Sequence, residues 1–93
     1  MDINDCREQI DILDKEILKL FSRRMDICAE IAMIKKENSE DIYCAERETQ
    51  IIKRVQKISD PRITQYAEKL FILIMQLSKD YQKKIIKTKG DNP

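Results

Sequence analysis

The feature that most constrains the fold is an amphipathic segment, Ile3 to Lys36, which contains no proline or glycine. It carries two rows of residues spaced seven apart, which are apolar except at one arginine: Ile3, Ile10, Ile17, Arg24, Ile31 and, three residues on, Cys6, Leu13, Leu20, Ile27, Ile34. Such rows predict one long helix that packs against a partner helix. At about 1.5 Å per residue this helix would be roughly 50 Å long, longer than a compact domain of this size is wide. We therefore expect a second subunit to cover it.

Arg24 places a charge in an otherwise apolar row. Charges in apolar surroundings are costly, so they are usually paired or bind a ligand. Lys35 follows about three helical turns later on nearly the same face, so both side chains could reach one small anion. Arg7 lies about 25 Å before Arg24 along the axis and can join them only from a second, antiparallel copy. This spacing predicts a symmetric dimer with two sites, each built from both chains. The alternative is that all three side chains are solvated, with stems lying along apolar surface.

Composition favours a small all-helical protein. The 93 residues make one domain, include one Gly, and carry a formal net charge of +1 with both signs interleaved. This profile is typical of a helical bundle or coiled coil, whose core would be small for a monomer. Without a basic stripe or a run of eighteen apolar residues, the sequence predicts neither nucleic-acid binding nor a membrane span.

The residue types that are absent exclude several chemistries. The chain has no His, which excludes a Ser-His-Asp triad and a histidine metal ligand. Its single Gly leaves no phosphate-binding loop or dinucleotide fingerprint. An enzyme with this sequence would position a ligand with Arg, Lys, Glu, Gln and Ser, and we expect no metal or cofactor. Three cysteines without metal or redox spacing, and an acidic N-terminus unlike a signal peptide, favour a reducing cytoplasm.

The remaining signals divide the chain into three helices of long, short and long length. The first should begin near Asn4 or Asp5, either of which could cap it, and end around residues 36–38. A polar loop follows, and the second helix should run from about Ala45 to Ile58 with the apolar stripe Ile51, Ile52, Val55, Ile58. Asp60 is a candidate cap with Pro61 as the first helical residue of the third helix.

The third helix is predicted to run from Pro61 to about Lys87. Its predicted core row is Ile63, Ala67, Leu70, Ile74, Leu77, Tyr81 and Ile85. We expect one helical domain over residues 1–88 and a disordered tail at 89–93.

Three polar residues on the second and third helices have two readings each. Glu48 lies in the first turn of the second helix, where it either complements the helix dipole or points a carboxylate at a ligand hydroxyl. Ser78 and Gln82 are spaced i and i+4 on the third helix, and a pair of this kind is usually surface rather than site.

Five features in order resemble the all-helical class of chorismate mutases, over nearly the whole chain. Residues 7–14, REQIDILD, are similar to the family's opening R-x-x-I-D-x-L-D. Arg24 and Lys35 follow with the family's interval of eleven residues. Residues 42–48, IYCAERE, are similar to the V-x-D-x-x-R-E motif at the start of the second helix, and Ser78 and Gln82 fall where the third helix supplies a polar pair.

The resemblance implies an intertwined helical homodimer that rearranges chorismate to prephenate in the shikimate pathway of aromatic amino acid biosynthesis. Arg24 and the partner subunit's Arg7 would each bind one carboxylate of chorismate. Lys35 and Gln82 would hydrogen-bond the ether oxygen, and Glu48 would hold the ring hydroxyl. Ser78 and Arg47 would support carboxylate binding.

Cys44 stands where the family usually has Asp. If this position acts through its backbone, Cys costs little; if the carboxylate orients Arg47 or Lys35, activity falls. Two alternative functions also remain. One is an isochorismate-pyruvate lyase on the same scaffold, and the other is a catalytically silent helical dimer with a regulatory or assembly role.

Overall fold

The computed structural model describes the backbone of residues 1–90 and the side chains of residues 1–88. It contains three helices, α1 (Ile3–Glu37), α2 (Ala45–Ile58) and α3 (Thr64–Gly90), and is all-α over the described residues. This confirms the predicted long, short, long order and the bounds of the second helix. Within the described residues, none of the helices is both long and apolar enough to span a bilayer.

The first helix is capped by Asp2, so the prediction of Asn4 or Asp5 as the cap was wrong. The Asp5 backbone N–H donates to the Asp2 carboxylate at 2.9 Å, and the Asp2 N–H donates to the Asp5 carboxylate at 3.2 Å. This reciprocal capping box satisfies two N–H groups that the helix itself leaves unpaired. Asp5 therefore contributes as the third helical residue.

At its other end α1 closes in a Schellman motif that starts the loop before α2. The Ser39 N–H donates to the Lys36 carbonyl at 3.1 Å, and the Glu40 N–H donates to the Lys35 carbonyl at 2.8 Å. Ser39 has a φ of 56°, in the left-handed region where Gly is the usual residue. The chain thus turns back within three residues, which brings the loop alongside the last turns of α1.

The third helix begins three residues later than predicted, because Asp60 is engaged in a turn. Its carboxylate accepts hydrogen bonds from the Arg62 backbone and guanidinium, the shortest at 2.8 Å. The side-chain bond from Arg62 lowers the pKa of Asp60. Residues 61–63 form this turn, so Pro61 is not the first residue of α3. The helix extends to Gly90; the tail predicted for 89–93 overlaps its last turn, and residues 91–93 lie outside the described part.

The core of the single chain is small and lies around α3, which packs against both other helices. Ile51, Val55 and Met75 are buried together, with Phe71 packed against them. On α1 only Cys28 and Ala32 are buried. In the single chain the predicted core row of α3 is exposed at Ile63, Leu70 and Leu77, as is Ile58 of the predicted α2 stripe.

Both heptad rows of α1 are uncovered in the single chain. Residues 1–20 are exposed throughout, and the isoleucines and leucines of the rows keep between 39% and 65% of their surface in solvent. The chain exposes 7760 Å², whereas a compact monomer of this length would expose roughly 2,000 Å² less. An apolar surface of this extent indicates an interaction site.

Candidate active site

A cavity of about 280 Å³ lies where the C-terminal half of α1, the start of α2 and the middle of α3 meet. Seven of the eight residues predicted for the site line it: Arg24, Lys35, Cys44, Arg47, Glu48, Ser78 and Gln82. They come from all three helices and from the loop before α2, so only the folded chain brings them together.

Arg7 is the predicted residue that does not line the cavity. It lies on the exposed N-terminal half of α1, about 25 Å from Arg24 along the helix axis. Its predicted role therefore depends on a second copy.

Arg24 is held in the cavity wall by α3. Its guanidinium donates to the Ser78 hydroxyl at 2.8 Å, and Ser78 in turn donates to the Ile74 carbonyl at 2.7 Å. Ser78 retains only 4% of its exposure, so it is a buried support and not the surface residue that its position alone favoured. Because Ser78 engages only part of the guanidinium fork, the other N–H groups remain for a ligand.

Lys35 faces the same cavity from the last turns of α1. Its ammonium donates to the Ile42 carbonyl at 2.8 Å. An ammonium has three N–H donors, so two remain after this bond. The bond also ties the loop before α2 to α1, which fixes one wall of the cavity.

Gln82 is buried at 8% exposure, and its Oε1 has no hydrogen-bond partner among the described residues. A buried polar atom without a partner costs about 1–3 kcal/mol. The amide also lines the cavity. A ligand group that donates a hydrogen bond to Oε1 would relieve this cost, and the amide N–H groups can donate to a ligand acceptor.

Glu48 has a partner that the sequence did not indicate. Its carboxylate lies 2.9 Å from the Lys79 ammonium, which also sits 4.9 Å from the centre of the Tyr43 ring. Lys79 lines the cavity too. No short motif joins Lys79 to Glu48, because they lie on different helices.

Cys44 and Arg47 occupy the start of α2. Cys44 is the N-cap residue, but its side chain makes no capping hydrogen bond. Arg47 is exposed, and its guanidinium approaches the Gln50 amide oxygen at 3.5 Å. Both side chains are thus only weakly engaged within the chain.

The charges around the cavity favour an anionic ligand. Five cationic side chains and one carboxylate, that of Glu48, line it: Arg24, Lys35, Arg47, Arg54, Lys79 and Glu48. Clefts lined by one sign of charge concentrate ligands of the opposite sign. Across residues 1–88, no three His, Cys, Asp or Glu side chains cluster as a metal site would require.

The family model of chorismate mutase type II matches residues 6–83. The chain belongs to this family. All seven cavity residues predicted from sequence fall within the matched range.

Relatives and a solved structure agree with this chorismate mutase assignment. The chain is 32% identical over 83 residues to a bifunctional chorismate mutase/prephenate dehydratase of Buchnera aphidicola, covering 87% of this chain and 22% of that protein. It is 35% identical over 46 residues to the T-protein of Haemophilus influenzae, covering 50% of this chain and 12% of that protein. The chain thus spans about a fifth or less of these relatives.

The fold is also that of a chorismate mutase from Helicobacter pylori solved in complex with prephenate. The two chains share 29% identity and superpose with a TM-score of 0.83, covering 91% of this chain and 93% of the other. An all-α fold with long, short and long helices is therefore established for this member of the family.

Proposed function

We propose that this chain rearranges chorismate to prephenate. The observation that carries the proposal is the cavity in which Arg24, Lys35 and Gln82 meet, lined by five cations and one carboxylate. Chorismate is a dianion with a ring hydroxyl and a cleavable ether. Family membership and the prephenate bound by the related Helicobacter pylori enzyme support the same reading.

In this proposal the arginines hold the substrate, and Lys35 and Gln82 act on the reacting ether. Arg24, supported by Ser78, binds one carboxylate, and the partner subunit's Arg7 binds the other. Arg47 assists from the mouth of the cavity, and Glu48 accepts a hydrogen bond from the ring hydroxyl.

The reaction is intramolecular: the ether C–O bond breaks while a C–C bond forms between the enolpyruvyl side chain and the ring. It needs no nucleophile and no net proton transfer. Fixing both carboxylates holds the side chain over the ring in a reactive geometry. Lys35 and Gln82 donate to the ether oxygen as negative charge grows on it, which stabilises the transition state more than the ground state.

Activity should not fall between mildly acidic and neutral pH. Gln82 is neutral throughout and can donate without first taking up a proton. The Gln82→Glu variant should lose activity as the pH rises through that range, because a carboxyl group can donate a hydrogen bond only when it is protonated. The measurement is kcat/KM against pH for both proteins, with circular dichroism at each pH. A steep fall in the unaltered chain with its fold intact would count against this role for Gln82.

Cys44→Asp should stabilise the fold, because the free N-cap of α2 gains a capping carboxylate worth roughly 1 kcal/mol. It should leave activity within about twofold, as expected if this position acts through its backbone. Cys44→Ser should stabilise in the same direction and Cys44→Ala should not. Thermal unfolding at one protein concentration and steady-state kinetics provide the two readouts. A large gain in activity for Asp but not for Ser would mean that a carboxylate at this position orients the cationic site residues.

We also propose that two chains form an antiparallel homodimer, with each Arg7 completing the partner's site. The uncovered heptad rows of α1 and the distance of Arg7 from its own cavity support this arrangement. The three cysteines are free, in agreement with the proposed cytoplasmic location.

The direct test is the loss of chorismate's ultraviolet absorbance on addition of purified protein, with prephenate identified as the product. An Arg24→Ala variant is the control. If chorismate persists, the same protein is given isochorismate, and formation of salicylate would favour the lyase. Inactivity toward both would leave a helical dimer without this chemistry.

A further inference from the structure

Lys79 lies next to the buried Ser78 on α3 and links three segments around the cavity. Its ammonium is 2.9 Å from the Glu48 carboxylate on α2, and it lies 4.9 Å from the centre of the ring of Tyr43, in the loop before α2. The Lys79 side chain is 20% exposed and that of Glu48 is 29% exposed. This is a sheltered ion pair, less screened by solvent than one on the open surface.

Glu48 needs such a partner because of its surroundings. Among the described residues that line the cavity it is the one acidic side chain, and Lys35, Arg47 and Arg54 line the same space. A carboxylate among several cations has competing partners, and each would point it in a different direction. A short charge-assisted hydrogen bond to a lysine that is itself packed on an aromatic ring selects one of these directions.

We propose that Lys79 is a positioning residue that holds the Glu48 carboxylate where it accepts the substrate's ring hydroxyl. The bond engages Oε2 of Glu48, which leaves the other carboxylate oxygen for the hydroxyl. This inference rests on the proposed function. It adds to the site a residue that the motif resemblance does not contain.

The effect should fall on substrate binding rather than on the chemical step. The ring hydroxyl takes no part in bond making or breaking, so its contact is equally strong in the ground state and the transition state. Losing such a contact raises KM and leaves kcat nearly unchanged.

The test compares Lys79→Met, which keeps the length of the stem but removes the charge, with Lys79→Arg, which keeps the charge. Lys83→Met, one turn further along α3 on an exposed residue, is the matched control. We expect Lys79→Met to raise KM about tenfold with kcat within about twofold. Lys79→Arg should largely restore KM, and Lys83→Met should leave it unchanged.

A double-mutant cycle with Glu48→Gln separates positioning from direct contact. If Lys79 acts through Glu48, Lys79→Met should change KM less than about twofold in the Glu48→Gln background. An undiminished penalty there would mean that Lys79 touches the substrate itself, which overturns the inference. If the unaltered chain converts chorismate and Lys79→Met keeps a normal KM, the inference is overturned and the proposed function stands. An unaltered chain that leaves chorismate unchanged overturns the proposed function and the inference with it.

Discussion

Arg24→Ala should lower kcat/KM for chorismate by roughly a thousandfold, because it removes a charged, preoriented partner of a substrate carboxylate. Arg24 is already fixed by its bond to Ser78, so little entropy is lost when the substrate binds. Alanine leaves both that hydroxyl and the bound carboxylate without their donor.

The control for this prediction is the neighbouring Arg23→Ala, which removes the same charge from an exposed position on α1. It should retain nearly full activity. Arg24→Lys should fall between the two, because an ammonium keeps the charge but cannot form the two parallel bonds of a guanidinium. Circular dichroism and the oligomeric state of each variant would exclude a folding defect. If Arg24→Ala keeps most of its activity while folded, Arg24 does not bind the substrate.

The second large effect is recovery of activity by mixing two inactive variants. Arg7→Ala and Arg24→Ala should each be nearly inactive. After co-refolding in equal amounts, random pairing makes half of the dimers mixed, and each mixed dimer has one site with both arginines. About a quarter of the native sites should therefore return.

A mixture of Arg24→Ala with Lys35→Ala is the matched control. Within each chain, Arg24 and Lys35 line the same cavity. Every site in that mixture lacks one of them, so no activity should return. Native mass spectrometry would establish that mixed dimers form in each case. Mixed dimers of Arg7→Ala and Arg24→Ala without recovered activity would mean that each site is built within one chain.

The helices were largely predictable from the sequence because their signals are local. The second helix has an acidic first turn and an apolar stripe at helical spacing, and its bounds were predicted correctly. The cap of α1 was not, because Asp2, Asn4 and Asp5 all carry side chains that can cap. The start of α3 was misplaced because Asp60 can act either as a helix cap or as the first residue of a turn whose side chain binds Arg62. The sequence alone does not indicate which of these two roles Asp60 takes.

Parts of the site could not be predicted from spacing alone. The periodicity of α3 suggested a core row through Leu70 and Leu77, yet within the single chain α3 packs through the neighbouring row with Phe71 and Met75. Helix α3 has two neighbouring apolar rows, and their spacing alone does not indicate which row packs within its own chain. The burial of Ser78 and Gln82 follows from that rotation. Lys79 was missed for the same reason, since its partner Glu48 becomes visible only when α2 and α3 are packed.

The exposed N-terminal half of α1 has a consequence for how strongly two chains can associate. Residues 1–20 are exposed throughout in the single chain, and most of the stability of a helix in a protein comes from tertiary packing of its apolar face. In a separated chain this segment would fray, and fixing each residue costs about 1–2 kcal/mol of backbone entropy. The free energy of association would have to offset the entropy that is lost when this segment becomes ordered, as in coupled folding and binding. The interface would then be weaker than its buried area suggests, and the arginine that reaches across would become ordered only when the two chains meet.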